Sequence, residues 1–139
     1  MEINNLIREA VIADLKAVMG DGFTYINGVP ANIAAADGDD PGDLPAVAVY
    51  LVEGEATDNE FDSEEWSAVL HVEIFMLAVN GVDAELDVPG EQVRQVLERH
   101  YRAQGLLTAC SRGSFTYGRD EVQPWGTLDL TFAIDWETD

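Results

Sequence analysis

The stretch GTLDLTFAIDWE (126–137) alternates without a break, with Leu128, Leu130, Phe132, Ile134 and Trp136 on one side and Thr127, Asp129, Thr131, Ala133 and Asp135 on the other. Successive side chains of a strand point to opposite faces, so a period of two predicts a strand with one buried face and one wet face. WSAVLHVEIF (66–75) repeats the pattern, setting Trp66, Ala68, Leu70, Val72 and Ile74 against Ser67, Val69, His71, Glu73 and Phe75. A third run, LPAVAVYLVE (44–53), is almost continuously apolar and rich in β-branched residues, which fits a central strand covered on both faces. The order implies two adjacent antiparallel strands joined by residues 54–65, a connection longer than a usual hairpin loop.

Helical spacing appears at two places. Ile3, Leu6, Ile7, Ala10, Val11, Leu15 and Val18 form an apolar stripe opposed by Glu2, Arg8, Glu9, Asp14 and Lys16, and GDG (20–22) ends it. A second helix is expected to start with Asp87 as cap and Pro89 in its first turn, to carry Val93, Val96, Leu97 and Tyr101 inward, and to break at Gly105. LLTACSR (106–112) is read as a shorter continuation. FTYI and VPANI, about Asn27-Gly28, read as two short strands in a hairpin, because that pair tolerates the positive φ of a two-residue turn. AAADGDDPGD (34–43) reads as a loop. The sum is an α+β single domain over the 139 residues, a mostly antiparallel sheet with helices packed on one face.

Charge narrows the function. The chain carries 7 basic and 27 acidic residues, a formal net charge of −20. Such a field repels nucleic-acid phosphates and anionic membrane surfaces, so direct sequence-specific nucleic acid binding and membrane binding are disfavoured. It serves solubility, or it controls when copies of the chain touch. One cysteine, Cys110, leaves no intramolecular disulfide or thiolate metal cage. No basic start with an apolar run and no apolar stretch of about 18 residues is present, which places synthesis and folding in a cytoplasm.

No catalytic signature is found: neither G-x-S-x-G, a phosphate-binding glycine loop, H-E-x-x-H nor C-x-x-C. His71 and Glu73 share a strand face, so a two-ligand metal site is one reading and a solvated strand histidine the other. His100 reads as a surface residue. Cys110, near Arg112, reads as a small buried apolar group. DGDDPGD departs from a calcium loop, with Pro41 at a ligand position and Ala48 where the bidentate Glu belongs.

The segment EGEATDNEFDSEEW (53–66) holds Glu53, Glu55, Asp58, Glu60, Asp62, Glu64 and Glu65 with no basic residue. With the flanking runs, DLPAVAVYLVEGEATDNEFDSEEWSAVLHVEIF (43–75) resembles the minor tail protein U family of lambda-like long-tailed bacteriophages, the tail terminators. The resemblance resumes at VDAELD (82–87) and YGRDEVQPWGTLDLTFAIDWE (117–137), and departs at AAADGDDPGD and over 88–115.

This resemblance implies a structural protein without enzymatic activity, found in the virion tail and in the host cytoplasm during assembly. It implies a homohexameric ring on the finished tail tube that stops polymerisation of the major tail tube protein and presents a surface to the head-completion (connector) protein. An acidic bore suits passing DNA. Residues 54–65, with Glu55, Asp58, Glu60, Asp62, Glu64 and Glu65, are then expected to contact the tube or a neighbouring subunit, held apart by like charge until they engage. Arg119 and Asp120 are candidates for intersubunit pairing. Asp83 matches an Asp in the corresponding family loop, and with Glu85 and Asp87 it is a candidate for an intersubunit divalent cation, the alternative being an Asp in a turn beside a helix cap. No cofactor is required, although Mg2+ would ease the approach of copies carrying −20 each. Two other readings remain open: an acidic DNA mimic that inhibits a DNA-binding enzyme, and a metal-dependent hydrolase built on His71, Glu73 and the aspartates.

Overall fold

A computed structural model describes residues 2–30, 43–57, 64–77, 80–119 and 125–138. The runs 44–53, 66–75 and 126–137 form long strands as expected. β1 (Thr24–Asn27), β2 (Ala46–Thr57), β3 (Glu64–Leu77), β4 (Ala109–Arg119) and β5 (Trp125–Thr138) make one sheet in the order β1-β2-β3-β5-β4. Every pair is antiparallel except β1 with β2. Helices α1 (Glu2–Met19) and α2 (Val82–Val96) pack on the same face of this sheet, so the fold is α+β.

The core lies between that face and the helices. Ile7, Val11 and Leu15 of α1 and Val82, Leu86 and Val93 of α2 meet Val47, Val49, Leu70, Val72, Ile74 and the inward row of β5 from Leu128 to Trp136. Burying each large aliphatic side chain contributes about 1.5–3 kcal/mol, which makes this two-layer contact the main source of stability. A smaller cluster of Leu44, Ala46, Ala48 and Phe75 covers part of the opposite face, as the continuous apolar run of β2 requires.

α1 ends where the sequence indicates, with Gly20 at φ 86° donating its N–H to the Lys16 carbonyl at 2.9 Å. That left-handed cap is cheap only for glycine.

Three local expectations are corrected. Asn27-Gly28 closes no hairpin: β1 runs parallel to β2, with Thr24 opposite Ala46, and Gly28 donates its N–H to the Val49 carbonyl at 2.8 Å. A type I′ turn needs positive φ at both central residues, and only Gly28, at 115°, has it. Val29 and Pro30 are not in a strand, and residues 31–33 of the expected partner lie outside the described residues.

α2 begins at Val82, after Gly81 at φ 81°, so Asp87 is no cap and Pro89 sits in the helix interior. An interior proline costs about 3 kcal/mol, but Val82 and Leu86 bury fully only if the helix starts early, and together they offset it. α2 also stops at Val96 rather than at Gly105, and Ala103, Gln104 and Gly105 all take positive φ in the following connection.

LLTACSR enters strand β4 instead of a helix: Thr108 N–H bonds to the Asp135 carbonyl at 2.8 Å and Cys110 lies opposite Ile134. Without β4 the long β5 would present an unpaired edge, and pairing outweighs weak helical propensity there.

α2 approaches the sheet closely at Gly90, where a Cβ would stand 2.8 Å from Leu128 Cδ2. Gly90→Val therefore displaces the buried Leu128 side chain and should lower unfolding free energy by about 1–3 kcal/mol. Chemical denaturation measures it, and an unchanged midpoint would show that the close approach is not needed.

Candidate functional site

Two β-bulges decide which side chains the sheet shows on each face. In β2, Val52 and Glu53 oppose the single residue Val69, so the register passes from Leu51 opposite Leu70 to Gly54 opposite Ala68. Without the extra residue, Glu53, Glu55 and Thr57 would turn toward the helix side; with it, Gly54 and Ala56 take those places. The bulge thus keeps carboxylates off the core side. From Val52 onward every residue of β2 is exposed, and this acidic end of β2 and β3 forms an arm at the sheet's margin that stays joined to β5 as far as Glu64 opposite Thr138.

The acidic segment is therefore shorter as a loop than its sequence suggests. Residues 54–57 and 64–65 are paired strand, with Thr57 opposite Glu65. Repulsion among carboxylates is tolerated because the ladder supplies backbone hydrogen bonds and the side chains face water. Glu55 and Glu64 are exposed, and Glu64 accepts from Trp66 Nε1 at 3.1 Å, while the Trp66 ring stacks on Trp136. Asp58, Glu60 and Asp62 lie outside the described residues.

The second group of expected residues gathers where α2 faces the end of β4. Asp83 lies on the first turn of α2, not in a loop, and pairs with Arg119 at 3.1 Å. Asp87, one turn along on the same face, accepts a hydrogen bond from Tyr117 Oη, and this contact with the carboxylate pushes the Tyr117 hydroxyl pKa up. Glu85, two residues from each, projects to another side of the helix. Among the described residues no group of three His, Cys, Asp or Glu side chains converges to hold a metal. Arg119 lies along Gly126, where a Cβ would come within 2.6 Å of its Nη1. Asp120 lies outside the described residues.

On the sheet face away from the helices, His71 and Glu73 belong to a closed polar network. His71 Nδ1 meets Asp129 Oδ2 at 2.9 Å, the His71 ring stacks on Tyr50 at 4.7 Å, and Tyr50 Oη donates to Glu73 Oε1 at 2.9 Å. Tyr50 and Asp129 were missed by sequence reasoning, because only the register sets Tyr50 opposite His71 and Glu73 opposite Asp129. Burial raises both the Tyr50 hydroxyl and the Glu73 carboxyl above their ordinary values. These groups bond to one another rather than toward a cleft. Cys110 is buried, and burial pushes its thiol up, so it packs as a small apolar group.

The chain matches the family model described as phage minor tail protein U over residues 2–136. It is 35% identical over 133 residues to the tail tube terminator protein of Escherichia phage N15, covering 94% of this chain and 96% of that one. It is likewise 35% identical over 130 residues to the tail tube terminator protein of Escherichia phage lambda, covering 92% and 94%. A chain in the virion of a native gene transfer agent particle shares the fold, with a TM-score of 0.59 at 17% identity over 94% of both chains. A two-layer α+β domain with an acidic strand arm is thus the structural class, and this chain belongs to the phage minor tail protein U family.

Glu73 makes a pH prediction. Its carboxyl pKa stands above the ordinary 4.5, chiefly through burial, so the folded chain holds that proton more tightly than the unfolded chain. Stability from this group is full below 4.5 and is lost as pH rises through the raised value. Glu73→Gln keeps an acceptor for Tyr50 and should gain in melting temperature over the native chain as pH climbs from 4.5 to neutral; a constant difference would contradict this.

Proposed function

We propose that this chain is a structural tail terminator, not an enzyme, that caps the finished tail tube as a hexameric ring. In that role it stops addition of tube protein and offers the surface for head joining. The observation that carries the reading is 35% identity over nearly the whole of two proteins named tail tube terminator. Its place of action would be the virion tail, reached from the host cytoplasm during assembly.

The physical account rests on charge. Copies carrying −20 each repel at low salt, so a ring forms only where specific contacts offset that repulsion. The arm of β2 and β3 is suited to such a contact, since its carboxylates are solvated in the free chain and lose nothing by waiting. Asp83 and Asp87 would admit a divalent cation only by releasing Arg119 or Tyr117, so a cation there would be coupled to assembly.

Tail length in electron micrographs tests the capping role. With the native chain, tails should have one length; with residues 58–63 deleted, they should run over-long and fail to join heads. Uniform tails without those residues would remove the arm from the account, and uniform tails without the chain would remove the function. The cation has its own readout. Millimolar magnesium should raise the solution mass of the native chain and leave that of Asp83→Asn unchanged, whereas equal responses would exclude Asp83 as the site.

A further inference from the structure

The chain's positive charge is not scattered. Of its 7 basic residues, Arg94, Arg99, Arg102, Arg112 and Arg119 fall within residues 94–119, where Glu98 is the only acid. Arg94 pairs with Glu91 and Arg119 with Asp83. Arg99, Arg102 and Arg112 make no ion pair among the described residues; Arg102 and Arg112 donate only to backbone carbonyls. Idle guanidinium groups in so acidic a chain are cations without an assigned partner.

Arg112, with Arg94, borders a groove. The second bulge, between Arg112 and Phe115, shifts β4 so that Phe115 lies opposite Leu130 and Tyr117 opposite Leu128, turning both rings to the helix side. Gly113 permits it, since a Cβ there would stand 2.6 Å from Thr131 Oγ1, and Thr131 Oγ1 accepts the Ser114 N–H at 2.7 Å. Phe115 is 65% exposed and packs edge-on against Tyr117. Between this strand and α2 lies a groove of about 570 Å³, with Leu128, Leu130 and Phe132 in its floor and Arg94, Arg112, Asp87 and Glu91 in its walls. Glu91 is paired with Arg94 and Asp87 accepts from Tyr117, which leaves Arg112 as the wall cation without an ion pair among the described residues. Among the described residues β4 pairs with β5 alone, which makes it an edge strand of the sheet.

An apolar floor beside the unpaired Arg112, with Arg94 held only by an exposed ion pair to Glu91, selects an apolar side chain flanked by carboxylates. This chain carries that pattern in DNEFDSEE (58–65), where Phe61 stands between Glu60 and Asp62. We infer that the α2–β4 groove is the receptor for the acidic β2–β3 arm of a second copy, with Phe61 entering the groove and Glu60 and Asp62 meeting Arg112 and Arg94, the latter by exchange from its exposed pair with Glu91. Arm and groove lie on different strands, with β3 and β5 between β2 and β4. Each copy thus has one donor patch and one distinct acceptor patch, the head-to-tail arrangement that closes rotational rings. The negative arm and the positive edge also replace self-repulsion with attraction at the one orientation that assembles. This inference rests on the ring proposed above and names the contact that builds it.

Charge exchange tests it. Arg94→Glu with Arg112→Glu reverses the groove, and Glu60→Arg with Asp62→Arg reverses the arm. Either reversal should lower the yield of capped, uniform tails by about tenfold or more, while the chain carrying both should recover to near the native yield. Arg94 and Arg112 are exposed, so melting temperatures should hold and separate lost assembly from lost folding. Phe115→Ser gives an independent variant with the same expected loss.

Native yield from each reversal, or no recovery on combining them, would overturn the arm-to-groove contact while leaving the capping function standing. Tails that are not capped even by the native chain would overturn both. A cysteine pair at positions 61 and 115, in a Cys110→Ser background, should cross-link between chains. Cross-linking within one chain would overturn the assignment to a second copy.

Discussion

The antiparallel ladder between β3 and β5 carries the structure. It runs unbroken from Glu64 opposite Thr138 to Leu77 opposite Trp125, and neither strand bulges within it. Its inward row supplies Leu70, Val72, Ile74, Leu128, Leu130, Phe132 and Ile134, and both helices bury their stripes against the layer to which that row belongs. Because side chains alternate, a slip of one residue would send Asp129, Thr131 and Glu73 into the core and the aliphatic row into water. Hydrophobic burial therefore fixes the register, and the register in turn places β2 and β4 on either side.

The flanking strands are where the chain departs from regularity. Each carries one bulge, and each bulge changes which side chains meet the helix layer. In β2 it keeps Glu55 off that side; in β4 it brings Phe115 and Tyr117 up beside α2. A rigid ladder in the middle with bulged strands at its margins lets surface features vary without disturbing the core.

Sequence legibility followed burial. The rows ending in Ile74 and Trp136 were readable because one face is apolar and the other polar, and every inward residue of β5 from Leu128 to Trp136 is buried. The class of fold, the first helix and its glycine stop were readable for the same reason. What was not readable depended on partners distant in sequence. β1 pairs in parallel with β2, β4 exists because β5 has an edge to fill, and Pro89 sits inside a helix because Val82 and Leu86 need burial. In the candidate site, Glu55, Glu64, Glu65, Asp83 and Arg119 stood out by charge. Tyr50, Asp129 and Phe115 did not, since register and a bulge give them their neighbours. The alternation of Phe115 and Tyr117 was the one available signal, and the bulge behind it leaves no mark beyond Gly113.

Under the terminator role proposed above, these features would give a division of labour. The core would resist deformation, acidic repulsion would keep free copies apart, and the proposed contacts of opposite charge would permit one mode of association. Imaging isolated tails with an electron-dense label fused to this chain tests that account most directly. The account requires label at one end of each finished tail, in end-on views with sixfold symmetry. Label spread along the tube, or absent from tails that are nevertheless finished, would contradict it.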